Sequence, residues 1–110
     1  MRSDEERLKD ILDFINKTTE EFNKDEFLHK ETYRYGLLKY LEIIGEAARS
    51  LKQETRDQAE INWTAIISFR NIAVHVYHDL DWDSVLDIIE NHLHDLREKI
   101  EELLKTISDN

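Results

Sequence analysis

The feature that most constrains the fold is a run of apolar residues in the last third of the chain, which recur at alternating steps of four and three. The run comprises Trp82, Leu86, Ile89, Leu93, Leu96, Ile100, Leu103 and Ile107. Such a heptad pattern predicts a long helix that packs along its length against a neighbour at a shallow angle. The chain also has only two glycines and no proline, too few turn residues for a sheet protein of this size. The sequence therefore predicts an all-α fold.

Two more helices are predicted in the first half of the chain. Ser3 and Glu6 form a capping-box pattern, which predicts a first helix at about residues 4–22. Asp25 is the expected N-cap of a second helix, which runs to about Leu51.

The second helix carries two adjacent apolar stripes. A helix with two apolar faces needs two partners, which places it at the centre of a bundle or at a subunit interface. Gly45 costs about 1 kcal/mol inside a helix, and the close approach of another backbone is the expected compensation. The stripes comprise Leu37, Leu41, Ile44, Ala48 and Leu51, and beside them Tyr33, Tyr40, Ile43 and Ala47.

The remaining connections complete the predicted architecture. Residues 53–61 are expected to form a loop or a short helical turn, Asn62 to cap the third helix, and Asp81 to cap the fourth. The prediction is a single domain over residues 1–110, an antiparallel four-helix bundle that a short fifth helix could extend.

Charge and composition limit the classes of function. The net charge of −10 argues against indiscriminate nucleic-acid binding, although the acidic excess lies in residues 1–27 and 79–110, while residues 28–78 are close to neutral. The chain has no cysteine, so thiolate chemistry is excluded. We expect a cytoplasmic protein without a signal peptide or a membrane span, because no basic-then-apolar leader and no run of eighteen apolar residues is present.

The chemically richest stretch is residues 69–78, Phe-Arg-Asn-Ile-Ala-Val-His-Val-Tyr-His. In a helix, at roughly 100° per residue, most of its apolar side chains share one face. The other face carries Arg70, Asn71, His75, Tyr77 and His78, together with Val74. An ordinary amphipathic helix with a solvated polar face would show the same pattern.

Histidine and carboxylate patterns do not predict a metal site or a cofactor. Glu26 and His29 form one Glu-x-x-His pattern, whereas di-iron bundles need two together with further carboxylates. His92 and His94, two positions apart, point to different sides of a helix. His75 and His78 lie three positions apart on one helical face and could share a metal, but two solvated surface histidines are the favoured interpretation. No serine has the sequence context of a triad nucleophile.

Arg70 and His75 are the best candidates for catalysis. A histidine with a pKa near neutral could deprotonate a ribose 2′-hydroxyl, and an arginine fork matches a phosphate and stabilises the charge that develops on it. On one helix the two side chains diverge by roughly 140°, so two copies facing each other across a two-fold axis would form a better site than one.

Three segments resemble a known family. Arg70, followed by His75 and Tyr77, is similar to the signature of the HEPN ribonuclease toxins of the HepT type. Residues 41–48 (LEIIGEAA) resemble the second-helix segment of that family, and residues 62–66 (NWTAI) resemble its run before the motif, where members often have Pro in place of Asn62.

The resemblance implies a role for each motif residue. It implies an HEPN-like homodimer in which Arg70 and His75 form a metal-independent endoribonuclease site in the dimer cleft, with Asn71 helping to order it. It also implies a toxin of a type II/VII-like toxin–antitoxin pair, whose partner is a minimal nucleotidyltransferase antitoxin of the MntA type. That partner would silence the toxin by transferring AMP to Tyr77.

Two other hypotheses remain open. The chain could be a non-catalytic, nucleotide-binding or accessory subunit of a nucleotidyltransferase. Alternatively, Arg70 and His75 could serve only structure, by bonding acidic neighbours such as Glu42 or Glu46.

Overall fold

The computed structural model describes residues 2–70 and 81–109, and these residues are helical apart from short connections. No strand occurs in these two ranges, so the prediction of an all-α fold is confirmed. The helices are α1 (Asp4–Glu21), α2 (Lys24–His29), α3 (Glu31–Arg49), α4 (Gln53–Arg56), α5 (Trp63–Ile67), α6 (Trp82–Asp87) and α7 (Leu93–Ser108), with a π-helical turn (Ile88–His92) between α6 and α7.

The first helix begins as its capping box predicts. The Ser3 hydroxyl accepts from the Glu6 N–H at 3.1 Å, and the Glu6 carboxylate accepts from the Ser3 N–H at 3.2 Å. Two of the N–H groups that a helix start leaves unpaired are thereby satisfied.

The predicted second helix is divided in two, and its expected N-cap is wrong. Asn23, not Asp25, caps α2, because its side chain accepts from the Glu26 N–H at 3.0 Å. Lys30 is extended, with φ −122° and ψ 103°, so α2 ends there and α3 begins without a side-chain cap. The break lets Phe27 turn into the core at 2% exposure.

The fourth predicted helix is interrupted as well. Asp81 caps α6 as predicted, accepting from the Ser84 N–H at 3.2 Å. The π-helical turn follows at once. It increases the number of residues per turn, because a π-helix closes its hydrogen bonds over five residues and an α-helix over four. As a result Val85, at 1% exposure, lies deeper in the core than the heptad residues Trp82 and Leu86 on either side of it.

The core lies between α1, α3 and α7, and α5 also packs against α3. The first apolar stripe of α3 is buried throughout, at 0–3% exposure. The other two helices contribute buried core residues as well, Leu8, Ile11 and Ile15 of α1 and Leu93, Ile100 and Leu103 of α7.

The second stripe of α3 is covered by α1 of the same chain. The Tyr33 hydroxyl donates to the Glu21 carbonyl at 2.5 Å, and the Tyr40 hydroxyl donates to the Glu21 carboxylate at 2.9 Å. The Tyr40 ring also lies 5.7 Å from that of Phe14. The two tyrosines of this stripe therefore find partners inside the chain and do not by themselves require a second copy, whereas Ile43 of the same stripe is partly exposed.

Among residues 2–70 and 81–109, no helix combines the length and the apolar character needed to cross a membrane.

Candidate functional site

The helix that leads to Arg70 lies directly against α3 at Gly45. A Cβ atom added to Gly45 would stand 2.6 Å from the Arg70 backbone nitrogen and 2.9 Å from the Ile66 carbonyl oxygen. Only a residue without a side chain fits between these backbones. The expected compensation for Gly45 is confirmed, and the close contact is with the segment that carries the candidate site.

Local sequence accounts for the position of this segment. The Asn62 side chain accepts from the Ala65 N–H at 3.1 Å and starts α5, as predicted. Ile66 and Phe69 are then buried, at 6% and 7% exposure. Arg70 follows them at the edge of the core, with a side chain that is 39% exposed.

Glu46 holds the Arg70 side chain. Its Oε2 lies 2.5 Å from Arg70 Nε, while its Oε1 lies 3.6 Å from Arg49. The Glu46 side chain is 49% exposed, so the pair is at the surface and accessible to a ligand. Glu42, the other acidic neighbour considered above, pairs with Lys39 at 3.2 Å instead.

The other motif residues lie outside the described residues. Asn71, His75, Tyr77 and His78 all fall in the segment 71–80. The structure therefore gives the position of Arg70, and the predicted roles of Arg70 and of the other motif residues stay predictions.

A cluster that the sequence did not point to lies where the chain resumes. The Trp82 ring stands 5.2 Å from the ring of Tyr35 at 87°, and 5.9 Å from that of Phe27 at 82°. The Arg34 guanidinium lies 4.9 Å from the Trp82 ring centre. Arg34 and Tyr35 adjoin in sequence, but no spacing rule links them to Trp82, so only the fold reveals the cluster.

A cavity of about 440 Å³ lies behind the Arg70 segment. Ile66 and Phe69 form part of its apolar wall, and Asp87 and His92 of the π-helical turn are among its polar residues. Hydrogen bonds from Asn91 and His92 lower the pKa of Asp87 below its ordinary value.

Each histidine in the described ranges contacts one carboxylate at the surface of the protein. His29 contacts Asp25 at 3.2 Å, and His92 contacts Asp87 at 3.0 Å. Within the described ranges, no three histidine or carboxylate side chains converge as a metal site requires.

An all-α domain with an arginine-bearing segment packed on a glycine of its longest helix is compatible with the HEPN-like fold that the sequence predicts. Comparison with known proteins identifies the family. The model described as Ribonuclease HepT-like matches residues 8–103, and the chain belongs to that family.

Relatives from archaea agree with this assignment. "Putative RNase MJ1380" of Methanocaldococcus jannaschii is 31% identical over 99 residues, which cover 86% of this chain and 90% of the relative. "Putative RNase MJ0127" of the same organism is 30% identical, over 93% of this chain and 82% of the relative. "Probable ribonuclease HepT" of Thermococcus cleftensis is 28% identical, over 94% of this chain and 98% of the relative. No solved structure matches the chain significantly. The predicted membership of a ribonuclease family is confirmed.

Proposed function

We propose that this chain is a metal-independent endoribonuclease, the toxin of a toxin–antitoxin pair, with Arg70 and His75 as its catalytic residues. Membership of the HepT-like ribonuclease family supports the reaction class. The assignment of Arg70 rests on its position in the fold. Its backbone packs directly on Gly45, and its guanidinium pairs with the Glu46 carboxylate.

The geometry of Arg70 suits a phosphate. Glu46 contacts Nε, and the two terminal nitrogens of the guanidinium show no ion pair among the described residues. Those two nitrogens are the ones that bind two oxygens of a phosphate at once. A side chain that is 39% exposed and oriented by a carboxylate loses little freedom when it binds such a group.

The chemistry needs one base and one acid. His75 takes the proton of a ribose 2′-hydroxyl, and the resulting oxygen attacks the adjacent phosphorus. The bond from phosphorus to the 5′-oxygen breaks, and that oxygen takes a proton from a protonated histidine, so the products are a 2′,3′-cyclic phosphate and a 5′-hydroxyl. Arg70 stabilises the charge that develops on the phosphate, and Asn71 helps to order the site.

We further propose that the working site is formed by two copies. Side chains five positions apart on a helix diverge by roughly 140°, so one copy would not bring Arg70 and His75 together efficiently. Two motifs that face each other across a two-fold axis supply a base and an acid on opposite sides of one phosphate.

Tyr77 is the proposed regulatory position. A nucleotidyltransferase antitoxin would activate the Tyr77 hydroxyl, whose oxygen attacks the α-phosphorus of ATP while pyrophosphate leaves and the hydroxyl proton is lost. The product carries an anionic AMP group seven positions from Arg70. That group would compete with RNA for the arginine and would obstruct the cleft.

A second candidate function is a non-catalytic accessory subunit of a nucleotidyltransferase. The Arg70–Glu46 ion pair supports the structural hypothesis, and it fits an accessory subunit only in that an arginine already paired with a carboxylate can be a purely structural group. The structural hypothesis named Glu46 as such a neighbour, and that contact is observed for Arg70.

RNA cleavage in the presence of EDTA tests the proposal. The protein is purified from cells without the partner enzyme, and its intact mass is measured to exclude an adduct on Tyr77. Wild type should cleave RNA in EDTA, whereas Arg70→Ala and His75→Ala should be reduced at least about a hundredfold, the order expected for loss of acid–base catalysis. Equal cleavage by wild type and His75→Ala would reject the catalytic assignment. Absence of cleavage across many RNAs would favour the accessory subunit.

A further inference from the structure

Arg34, Tyr35 and Trp82, here called the stacking cluster, form a partly exposed surface of planar side chains. Tyr35 is 43% exposed, one of the largest exposures of an apolar side chain in the described residues. Because its ring meets Trp82 at 87°, Trp82 covers at most one of its two faces. Trp82 therefore leaves at least one face of the Tyr35 ring uncovered, and the exposed part of this side chain can be reached by a ligand.

The positive charge of Arg34 is not neutralised by a carboxylate in the described part of the chain. The guanidinium lies over Trp82 at 4.9 Å, and its buried Nε has no hydrogen-bond partner among the residues described. A cation held on an aromatic ring can still attract an anion with its outer nitrogens. The cluster thus places a cation beside an open aromatic face.

The stacking cluster lies on the same face of α3 as the Arg70 site. Tyr35, Glu42 and Glu46 are separated by steps of seven and four, so they fall within roughly 40° of one another around the helix. Tyr35 and Glu46 are eleven positions apart, or about 16 Å along the axis at 1.5 Å per residue. A few nucleotides of single-stranded RNA can cover such a distance.

We propose that the stacking cluster binds an unpaired base of single-stranded RNA while the strand extends along α3 to Arg70. The inference rests on the proposed function, since it names the substrate of that site as single-stranded. The base stacks on Tyr35, and Arg34 contacts the adjoining phosphate. Stacking is tolerant of sequence because every base has an aromatic face.

The net charge determines how such binding should depend on salt. A chain of net charge −10 gains little from general attraction to phosphates. If Arg34 and Arg70 supply the only two phosphate contacts, the slope of log affinity against log salt should be about −1.4 or shallower, at about −0.7 per phosphate for a single strand. A stacking site predicts this shallow slope together with a strong requirement for bases.

The test uses the full chain and two fluorescein-labelled single-stranded deoxyoligonucleotides of equal length, one with bases and one abasic. Neither has a 2′-hydroxyl, so neither can be cleaved by the proposed reaction. Binding is followed by fluorescence anisotropy as a function of salt. Tyr35→Ala should weaken binding of the base-bearing strand about tenfold, the order expected for the loss of one stacked base, with little effect on the abasic strand.

Three further variants control for other effects. Tyr35→Phe keeps the ring and should bind like wild type. Arg34→Lys keeps the positive charge but replaces the planar guanidinium by an ammonium group, and it should weaken binding. Leu28→Ala removes an exposed apolar side chain of comparable exposure, 51%, and should leave binding unchanged.

Several outcomes would overturn the inference. They are unchanged binding by Tyr35→Ala, an equal loss on both strands, and a change in sedimentation mass that identifies the cluster as a subunit contact. Because the strands cannot be cleaved, these results do not depend on catalysis. If wild type cleaves RNA but Tyr35→Ala binds the labelled strands as well as wild type does, the stacking site alone is rejected. If binding depends on the bases but no RNA is cleaved, the ribonuclease proposal alone is rejected.

Discussion

Glu46 Oε2 lies 2.5 Å from Arg70 Nε, and the residue before Glu46 is the glycine on which the Arg70 backbone packs. Two consecutive positions of α3 therefore fix both parts of Arg70, Gly45 its backbone and Glu46 its side chain. This arrangement connects the most buried helix of the bundle to the candidate catalytic residue.

Gly45→Ala should destabilise the chain and displace Arg70. The new Cβ would lie 2.6 Å from the Arg70 nitrogen and 2.9 Å from the Ile66 oxygen, and backbone atoms cannot move aside as the end of a side chain can. Overpacking of this kind costs about 1–3 kcal/mol, more than the gain of about 1 kcal/mol from alanine in a helix. Urea unfolding should show a lower midpoint, and any ribonuclease activity should fall as well.

Gly36→Ala is the matched control in the same helix. Nothing lies within 4 Å of the position that a Cβ would take at Gly36. The substitution should therefore raise the free energy of unfolding by about 0.5–1 kcal/mol, the usual effect of removing a glycine from a helix. Equal effects of the two substitutions would contradict the close approach at Gly45.

Glu46→Ala should reduce ribonuclease activity with little effect on stability. Both partners are exposed, at 39% and 49%, and surface ion pairs contribute only about 0–1 kcal/mol. An arginine without its orienting carboxylate samples other rotamers, and misplacement by about 1 Å can cost about a hundredfold in rate. The measurement is kcat and the melting temperature of the same preparation.

Two comparisons separate orientation from a general change of charge. Glu42→Ala removes a carboxylate from the same face of α3, which pairs with Lys39 at 3.2 Å, and should leave kcat unchanged. In an Arg70→Ala background, Glu46→Ala should have no further effect, since it acts through Arg70. An additional loss in that background would show that Glu46 has another role.

The dimer can be tested by sedimentation. Tyr33 and Tyr40 of the second apolar stripe of α3 pack on α1, so this stripe is weaker support for a dimer than the sequence indicates. The composite site that we propose still needs two copies. We expect the mass of two chains at micromolar concentration, and a mass of one chain under conditions where RNA is cleaved would reject the composite site.

Short-range rules predicted the helix starts well. Ser3, Asn62 and Asp81 all cap helices as expected, because a cap is a contact between residues three positions apart. Gly45 was also identified as a site of close approach, since a glycine inside an apolar helix needs a reason.

Features that depend on distant contacts were not predictable in the same way. The break at Lys30 lacks Gly or Pro, and it arises where Phe27 packs with Phe22 and Trp82. The heptad pattern runs through Ile88–His92 without interruption, so it gives no sign of the π-helical turn there. The stacking cluster likewise joins residues 47 positions apart, from Tyr35 to Trp82.

Stability should depend on pH through Asp4, which joins the start of α1 to α4. Burial acts to raise the pKa of Asp4, but hydrogen bonds from Thr55 at 2.6 Å, from the Lys52 N–H at 3.1 Å and from Arg7 at 3.1 Å together lower it below the ordinary value of 3.8. A lowered folded-state pKa contributes stability that is present above the unfolded-state pKa and is lost as the pH falls through the folded-state pKa.

Asp4→Asn should therefore cost about 1.5–3 kcal/mol at neutral pH, the range for hydrogen bonds to a charged group. The difference from wild type should shrink as the pH falls below 3.8, because the wild-type carboxyl then becomes neutral as well. Asp13→Asn is the control, since Asp13 is exposed on the same helix. The measurement is the free energy of unfolding in urea at neutral and at acid pH. A difference between wild type and Asp4→Asn that stays constant across this range would show that the contacts of Asp4 do not depend on its charge.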